Sequence, residues 1–188
     1  MPNIDETAKA WQLELARRVG LAVHDLRKRQ GWTALELAQR TKEIGYPISR
    51  VAISKIESNT RSGKVDLAEL LTLAAALNVS PVALVYPGPY QNEVQILPGR
   101  HAAEFNAAQW FSGLEWDTRL VSVPGDSNPG KGWDAGMEML YSWRELMELE
   151  DMRGATLIVD DHDRKRALLY DKQIAVLRKR LGIVDDDA

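Results

Sequence analysis

The sequence predicts an all-α protein: five helices with short loops over residues 7–86, then a mainly helical C-terminal region. Three observations predict it. Apolar residues recur at spacings of three and four through most of the chain. Capping residues and breakers punctuate that pattern at helix-length intervals. Two stretches rich in proline or glycine, "YPGPYQ" at 86–91 and "VPGDSNPGKG" at 123–132, interrupt it. The expected division is 1–86, a compact helical domain; 87–132, a linker with a small tryptophan-bearing segment; and 133–188, a helical C-terminal region.

The first helix runs from Thr7 to Gln30, with Trp11, Leu15, Val19, Ala22 (or Val23) and Leu26 on one face. Gly31 ends it in the C′ position. Thr33 caps the second helix, and Glu36 three residues on completes a capping box. That helix is expected to bury Leu35, Leu37 and Ala38 and to fade near Lys42. Gly45 and Pro47 in "KEIGYP" mark a turn. Ser49 caps a third helix reaching Glu57, followed by Asn59. Asp66 caps a fourth, apolar at Leu67, Leu70, Leu71, Ala74 and Leu77. Pro81 opens a short fifth at N1. Beyond the first linker, "NEVQILPG" reads as a short extended piece and "HAAEFNAAQWFSG" as one helix ended by Gly113. From Trp133 the helical pattern returns. Ala167, Tyr170, Ile174, Leu177, Leu181 and Val184 follow a heptad seam.

Composition bounds the function. Hydrophobic residues make up 45% of the 188 residues, enough for a core and too many for a disordered chain. There is no cysteine, so disulfides and thiolate metal sites are excluded and a reducing cytoplasm fits. No apolar run approaches the roughly 18 residues of a membrane span. "MPNIDETAKAWQ" lacks the pattern of a signal peptide. The net charge of −3 hides blocks of opposite sign. Residues 17–64 hold 11 Lys/Arg and 4 Asp/Glu, residues 81–163 hold 5 and 14, and residues 164–182 hold 7 and 1. A basic N-terminal block is a footprint for a polyanion.

The segment "YPISRVAISKIESNTRSGK", residues 46–64, lies in that block. Two short helices joined by a turn, the second basic and rich in small residues, form a helix-turn-helix pattern. A helix entering the DNA major groove must present short or polar side chains, because the groove is only about 12 Å wide. Its other side must be apolar to seat it. Val51, Ile53 and Ile56 read as its inner face, with Ile53 and Ile56 seating it, while Ser49, Arg50 and Lys55 face out.

The runs "LRKRQGWTALELAQRT", "SRVAISKIESN" and "DLAELLTLAAALNVSPVALV" give residues 19–86 a resemblance to the Cro/phage-repressor type, or XRE family, of helix-turn-helix domains. The resemblance implies a DNA-binding transcriptional regulator whose third helix docks in the major groove. It places Ser49, Arg50 and Val51 at base edges, with Ser54 and Lys55 a turn later on the same face or beside phosphates. Asn59, Thr60 and Arg61 fall where family members contact the DNA backbone. Arg27 and Glu57 fall where a buried structural ion pair often joins the first and third helices. Two departures stand out. The turn "TKEIGYPIS" is longer than usual. Ala34 replaces a phosphate-contacting glutamine common in the family, leaving that contact to Thr33 or Trp32.

Other candidates are weaker. "DDHD", Asp160–Asp163, reads as a cap or solvated patch rather than a metal site. The histidines His24, His101 and His162 are far apart. No catalytic constellation, metal set or cofactor motif is legible, so no enzymatic activity and no cofactor are expected. Trp110, Trp116, Trp133 and Trp143 build a small core or line an interface. The expected function is a cytoplasmic, sequence-specific regulator of the repressor kind, since a bound protein blocks polymerase with no further contact. Its partner is double-stranded DNA, with no membrane. The alternative is a DNA-tethered interaction module in which residues 87–188 bind a protein or small ligand. A homodimer through the seam on the basic helix is expected. Glu145, Glu148, Glu150 and Asp151 can answer the basic residues either between chains or within one chain, and the antiparallel intrachain pair is the dimer's rival.

Overall fold

The computed structural model describes residues 6–115, 128–159 and 164–183. The chain forms two compact units, 1–124 and 125–188. Trp116, the "DDHD" run with His162, Val184 and residues 123–127 of the second linker lie outside the described residues.

The first unit opens with helices α1 (Glu6–Arg29), α2 (Ala34–Glu43), α3 (Arg50–Glu57), α4 (Leu67–Ala76) and α5 (Pro81–Val85). Local chemistry sets their ends. The Thr33 hydroxyl accepts from the Glu36 backbone N–H while the Glu36 carboxylate accepts from that of Thr33, so the capping box is complete. The Thr33 N–H holds the exposed Glu36 carboxyl below its ordinary pKa, since hydrogen bonding favours the charged form. Ser49 and Asp66 cap α3 and α4, and Pro81 sits in the first turn of α5. At the far end of α1, Gly31 adopts φ +72°, a left-handed conformation that glycine reaches at low cost.

The core of this unit gathers one stripe from each helix: Val19 and Val23, Leu37, Ile53 and Ile56, Leu73 and Leu77, and Leu84. Three leucines depart from expectation. Leu35, Leu67 and Leu71 are 65%, 68% and 50% exposed. Leu35 lies ~100° round the helix from the stripe of Ala34, Leu37, Ala38 and Thr41, as 3.6 residues per turn require. Leu71 is likewise one residue round from Leu70.

The described residues are mainly helical rather than all-α, because a two-stranded antiparallel hairpin follows α5. Strand β1 (Glu93–Leu97) pairs with β2 (Arg100–Ala103) in the register Val94 opposite Ala102 and Gln95 opposite His101. The residues "HAA" that read as helix therefore belong to a strand, and α6 (Glu104–Phe111) begins after them. Cross-strand pairing, which a single helical window cannot register, takes those residues. Ile96 and Ala107 are buried in the same core as the five helices, with Trp110 packed against it. The indole N–H of Trp11 donates to the Ile96 carbonyl at 3.0 Å.

The second unit is a pair of helices, α7 (Pro129–Val159) and α8 (Arg164–Leu181). Helix α7 includes Pro129–Gly132, which had read as linker. Leu146, Ile174 and Leu177 form the core, with Leu149, Tyr170 and Leu181 beside them. Ion pairs Glu138–Arg180, Glu150–Arg178 and Arg153–Asp171 show the helices running antiparallel. The seam expected to face a second copy is thus used inside the chain. Among the described tryptophans, Trp110 packs against the core of the first unit, while in the second Trp133 donates to the Tyr141 hydroxyl and Trp143 is 43% exposed.

No helix among the described residues is long and apolar enough to cross a membrane.

Candidate nucleic-acid interface

Helix α3 is seated by four devices. Ile53 and Ile56 are 0% and 3% exposed, and burying such side chains stabilises by about 1.5–3 kcal/mol each. The second device is the turn before α3, Ile44–Ser49, which is stitched to α2. The backbone N–H of Ile48 donates to the fully buried Thr41 hydroxyl at 3.0 Å, and that hydroxyl donates to the Ala38 carbonyl at 2.8 Å. This clasp gives the long turn a fixed path.

The third device joins α3 to α1. Arg27 Nε and Nη2 donate to the two carboxylate oxygens of Glu57 at 2.6 and 2.8 Å, and Nη1 donates to the Trp32 carbonyl at 2.6 Å. Both side chains are about nine-tenths buried, and the Glu57 carboxylate holds the Arg27 guanidinium above its ordinary pKa. A bidentate pair fixes orientation as well as charge. Fourth, α1 and α3 touch through backbone at Gly20. A Cβ there would lie 2.3 Å from the Ile56 carbonyl oxygen, so only glycine permits this approach.

With the inner face fixed, the outer face follows. Ser49, Arg50, Val51, Ser54 and Lys55 are all exposed. Arg50 and Ser54 are one turn apart, as are Val51 and Lys55, so the five make one patch at the start and middle of α3. Neither Arg50 nor Lys55 has an ion-pair partner among the described residues. Val51, 61% exposed, is on this patch and takes no part in seating the helix.

The residues after α3 have intramolecular roles. Asn59 stands at φ +51° in the C′ position, where asparagine tolerates a left-handed backbone, and its side-chain N–H donates to the Leu13 carbonyl at 3.0 Å. The Thr60 hydroxyl lies 3.1 Å from that of Ser58. Arg61 pairs with Glu69 at 2.5 Å. On α2, the Thr33 hydroxyl is spent on its cap. Beside it the Arg40 guanidinium stacks 3.8 Å from the centroid of the Trp32 ring. Sequence reasoning missed Gly20 and Thr41 as determinants of how α3 is held. A glycine inside an apolar helical pattern was the available signal for the first; Thr41 gave none.

Residues 23–84 match a family of protein domains described as Helix-turn-helix. No curated protein and no solved structure matches the chain. The matched segment runs from the second half of α1 to α5 and contains α2, its turn and α3 entire. Residues 23–84 are therefore a DNA-binding helix-turn-helix domain of the Cro/phage-repressor, or XRE, type found in transcriptional regulators.

Proposed function

We propose that the chain is a sequence-specific transcriptional repressor acting on double-stranded DNA in the cytoplasm. The observation that carries this reading is the outer face of α3: Arg50 and Lys55 stand exposed on a helix whose position is otherwise locked. Arg50 is assigned to base edges together with Ser49 and Val51. Ser54 and Lys55 serve the same face or adjacent phosphates. Thr33, Asn59, Thr60 and Arg61 are secondary, since intramolecular bonds already engage their side chains, and their backbone contacts to phosphate remain compatible with those bonds. A footprint on the DNA upstream of the protein's own gene, with titration over salt, tests the function. A protected site is expected, with affinity falling as salt rises, because each phosphate neutralised adds about 0.9 to the log–log slope. Binding that shows no site preference at any salt concentration contradicts it.

One helix-turn-helix reads few base pairs, so a second copy is expected. We assign the contact to a face other than the heptad seam. Met139, Trp143 and Met147 repeat every four residues along α7 and are 60%, 43% and 63% exposed; on α8, Leu169 and Val176 are 55% and 69% exposed. A pair of helices with so small a core leaves these uncovered, and a second pair would complete a four-helix bundle. Charge supports this occupant. Residues 129–159 hold 3 Lys/Arg against 6 Asp/Glu and residues 164–181 hold 7 against 1, so α7 of one copy complements α8 of another. Sedimentation of the full chain is expected to give a dimer, and replacing Trp143 and Met147 together by Asp is expected to give a monomer. A wild-type monomer at tens of micromolar returns this face to the second reading, a binding surface for a different protein.

A further inference from the structure

Val51 occupies the middle of the outer face of α3. Successive side chains on a helix stand ~100° apart, so Val51 is ~160° round from Ile53, the fully buried residue that seats the helix. Ser54 and Lys55, both exposed, flank Val51 one turn along, ~60° to one side and ~40° to the other. The helix thus carries an apolar, β-branched side chain, 61% exposed, at the centre of a face whose other members are hydroxyl or cationic. A lone exposed valine on most surfaces calls for no explanation. The centre of a helix that enters the major groove is a different place, because a side chain there faces base edges and not bulk water.

The chemistry of the groove narrows what such a residue can meet. Base edges there are mostly hydrogen-bond donors and acceptors. Valine neither donates nor accepts, so against these it takes water from a polar atom and returns nothing. One feature of the groove is apolar: the C5 methyl group of a pyrimidine. Thymine carries it in unmodified DNA, and 5-methylcytosine carries the same group. A valine in a helix keeps mainly to one χ1 rotamer, so its two methyl groups are already in place and lose little freedom on contact. Serine is satisfied by more than one base, so Ser54 beside it supplies no such selection. We propose that Val51 is a specificity-determining residue that reads a pyrimidine 5-methyl group in the bound site. The inference rests on the reading of α3 as the helix that enters the groove. It adds the chemical group which that helix requires beside the base edge assigned to Arg50.

The test begins with a preferred site, selected by the full chain from random-sequence duplexes. Each thymine of that site is replaced in turn by uracil, which keeps the hydrogen-bonding edges and removes only the methyl group. In a parallel series each cytosine is replaced by 5-methylcytosine, which adds one. Wild type and Val51→Ser are compared on every duplex at one salt concentration. Val51→Ser is expected to fold as the wild type does, because Val51 takes no part in seating the helix. At least one uracil duplex is expected to bind the wild type about three- to fivefold more weakly, the worth of one buried methyl group. Val51→Ser is expected to bind that duplex and its thymine parent alike. A gain in the cytosine series instead, again confined to the wild type, assigns the methyl group to methylated cytosine. Methyl changes that leave the wild type unaffected, or that act equally on both proteins, overturn the proposal and leave the Arg50 assignment standing. Failure to select any preferred site overturns the reading of α3 and this inference with it.

Discussion

Glu57→Ala is expected to destabilise the first unit by about 3–5 kcal/mol, the cost of breaking a buried ion pair by removing one partner. The carboxylate takes two of the three hydrogen bonds that Arg27 makes, and Arg27 is 5% exposed. Its loss leaves a guanidinium with one carbonyl partner and an unanswered charge inside the α1–α3 contact. For a unit of this size the melting temperature should fall on the order of 10 °C. DNA is not needed for the effect, which separates a scaffold role from a contact role. Replacing Arg27 by Met and Glu57 by Leu together should recover much of the loss, since removing both charges removes the desolvation penalty. An unchanged melting temperature for the single variant would show the pair to be solvated.

Ile53→Ala is expected to cost about 2–5 kcal/mol, as large-to-small changes at sealed sites do. Ile53 is 0% exposed and joins α3 to Leu37, Leu73 and Leu84 in one core cluster. Two residues earlier on the same helix, Val51 is 61% exposed, and Val51→Ala should stay within about 0.5 kcal/mol. Thermal or urea unfolding of the two variants side by side reads the orientation of α3 directly. Equal losses would mean that the helix is rotated from the position described.

What the sequence disclosed follows the range of each interaction. Thr33 with Glu36, Ser49, Asp66, Pro81 and Gly31 act within four residues, and their chemistry is written where they stand. The face of α3 was legible for the same reason: Ile53 and Ile56 mark the inner side, so Arg50, Ser54 and Lys55 must lie outside. Longer-range facts were not. Arg61 finds Glu69 on α4, and Asn59 finds a carbonyl 46 residues away, neither of which a local pattern reports. The hairpin arises because residues 93–95 and 101–103 pair with each other, a choice made across the chain. The heptad seam on α8 was read correctly as apolar. Its partner could not be read, because a seam records a need for burial and not who supplies it. The exposed stripe of Met139, Trp143 and Met147 became visible only once α8 had taken Leu146.

The central claim is that α3 reads DNA through Arg50. Its most direct test is the affinity of wild-type protein and Arg50→Ala for the footprinted site and for unrelated DNA, at one fixed salt concentration. A bidentate arginine–guanine contact discriminates by about 1–3 kcal/mol. Arg50→Ala should therefore lose roughly 5- to 150-fold on the specific site and far less on unrelated DNA. Equal losses on both would make Arg50 a phosphate contact and would contradict the assignment of α3 as the reading helix.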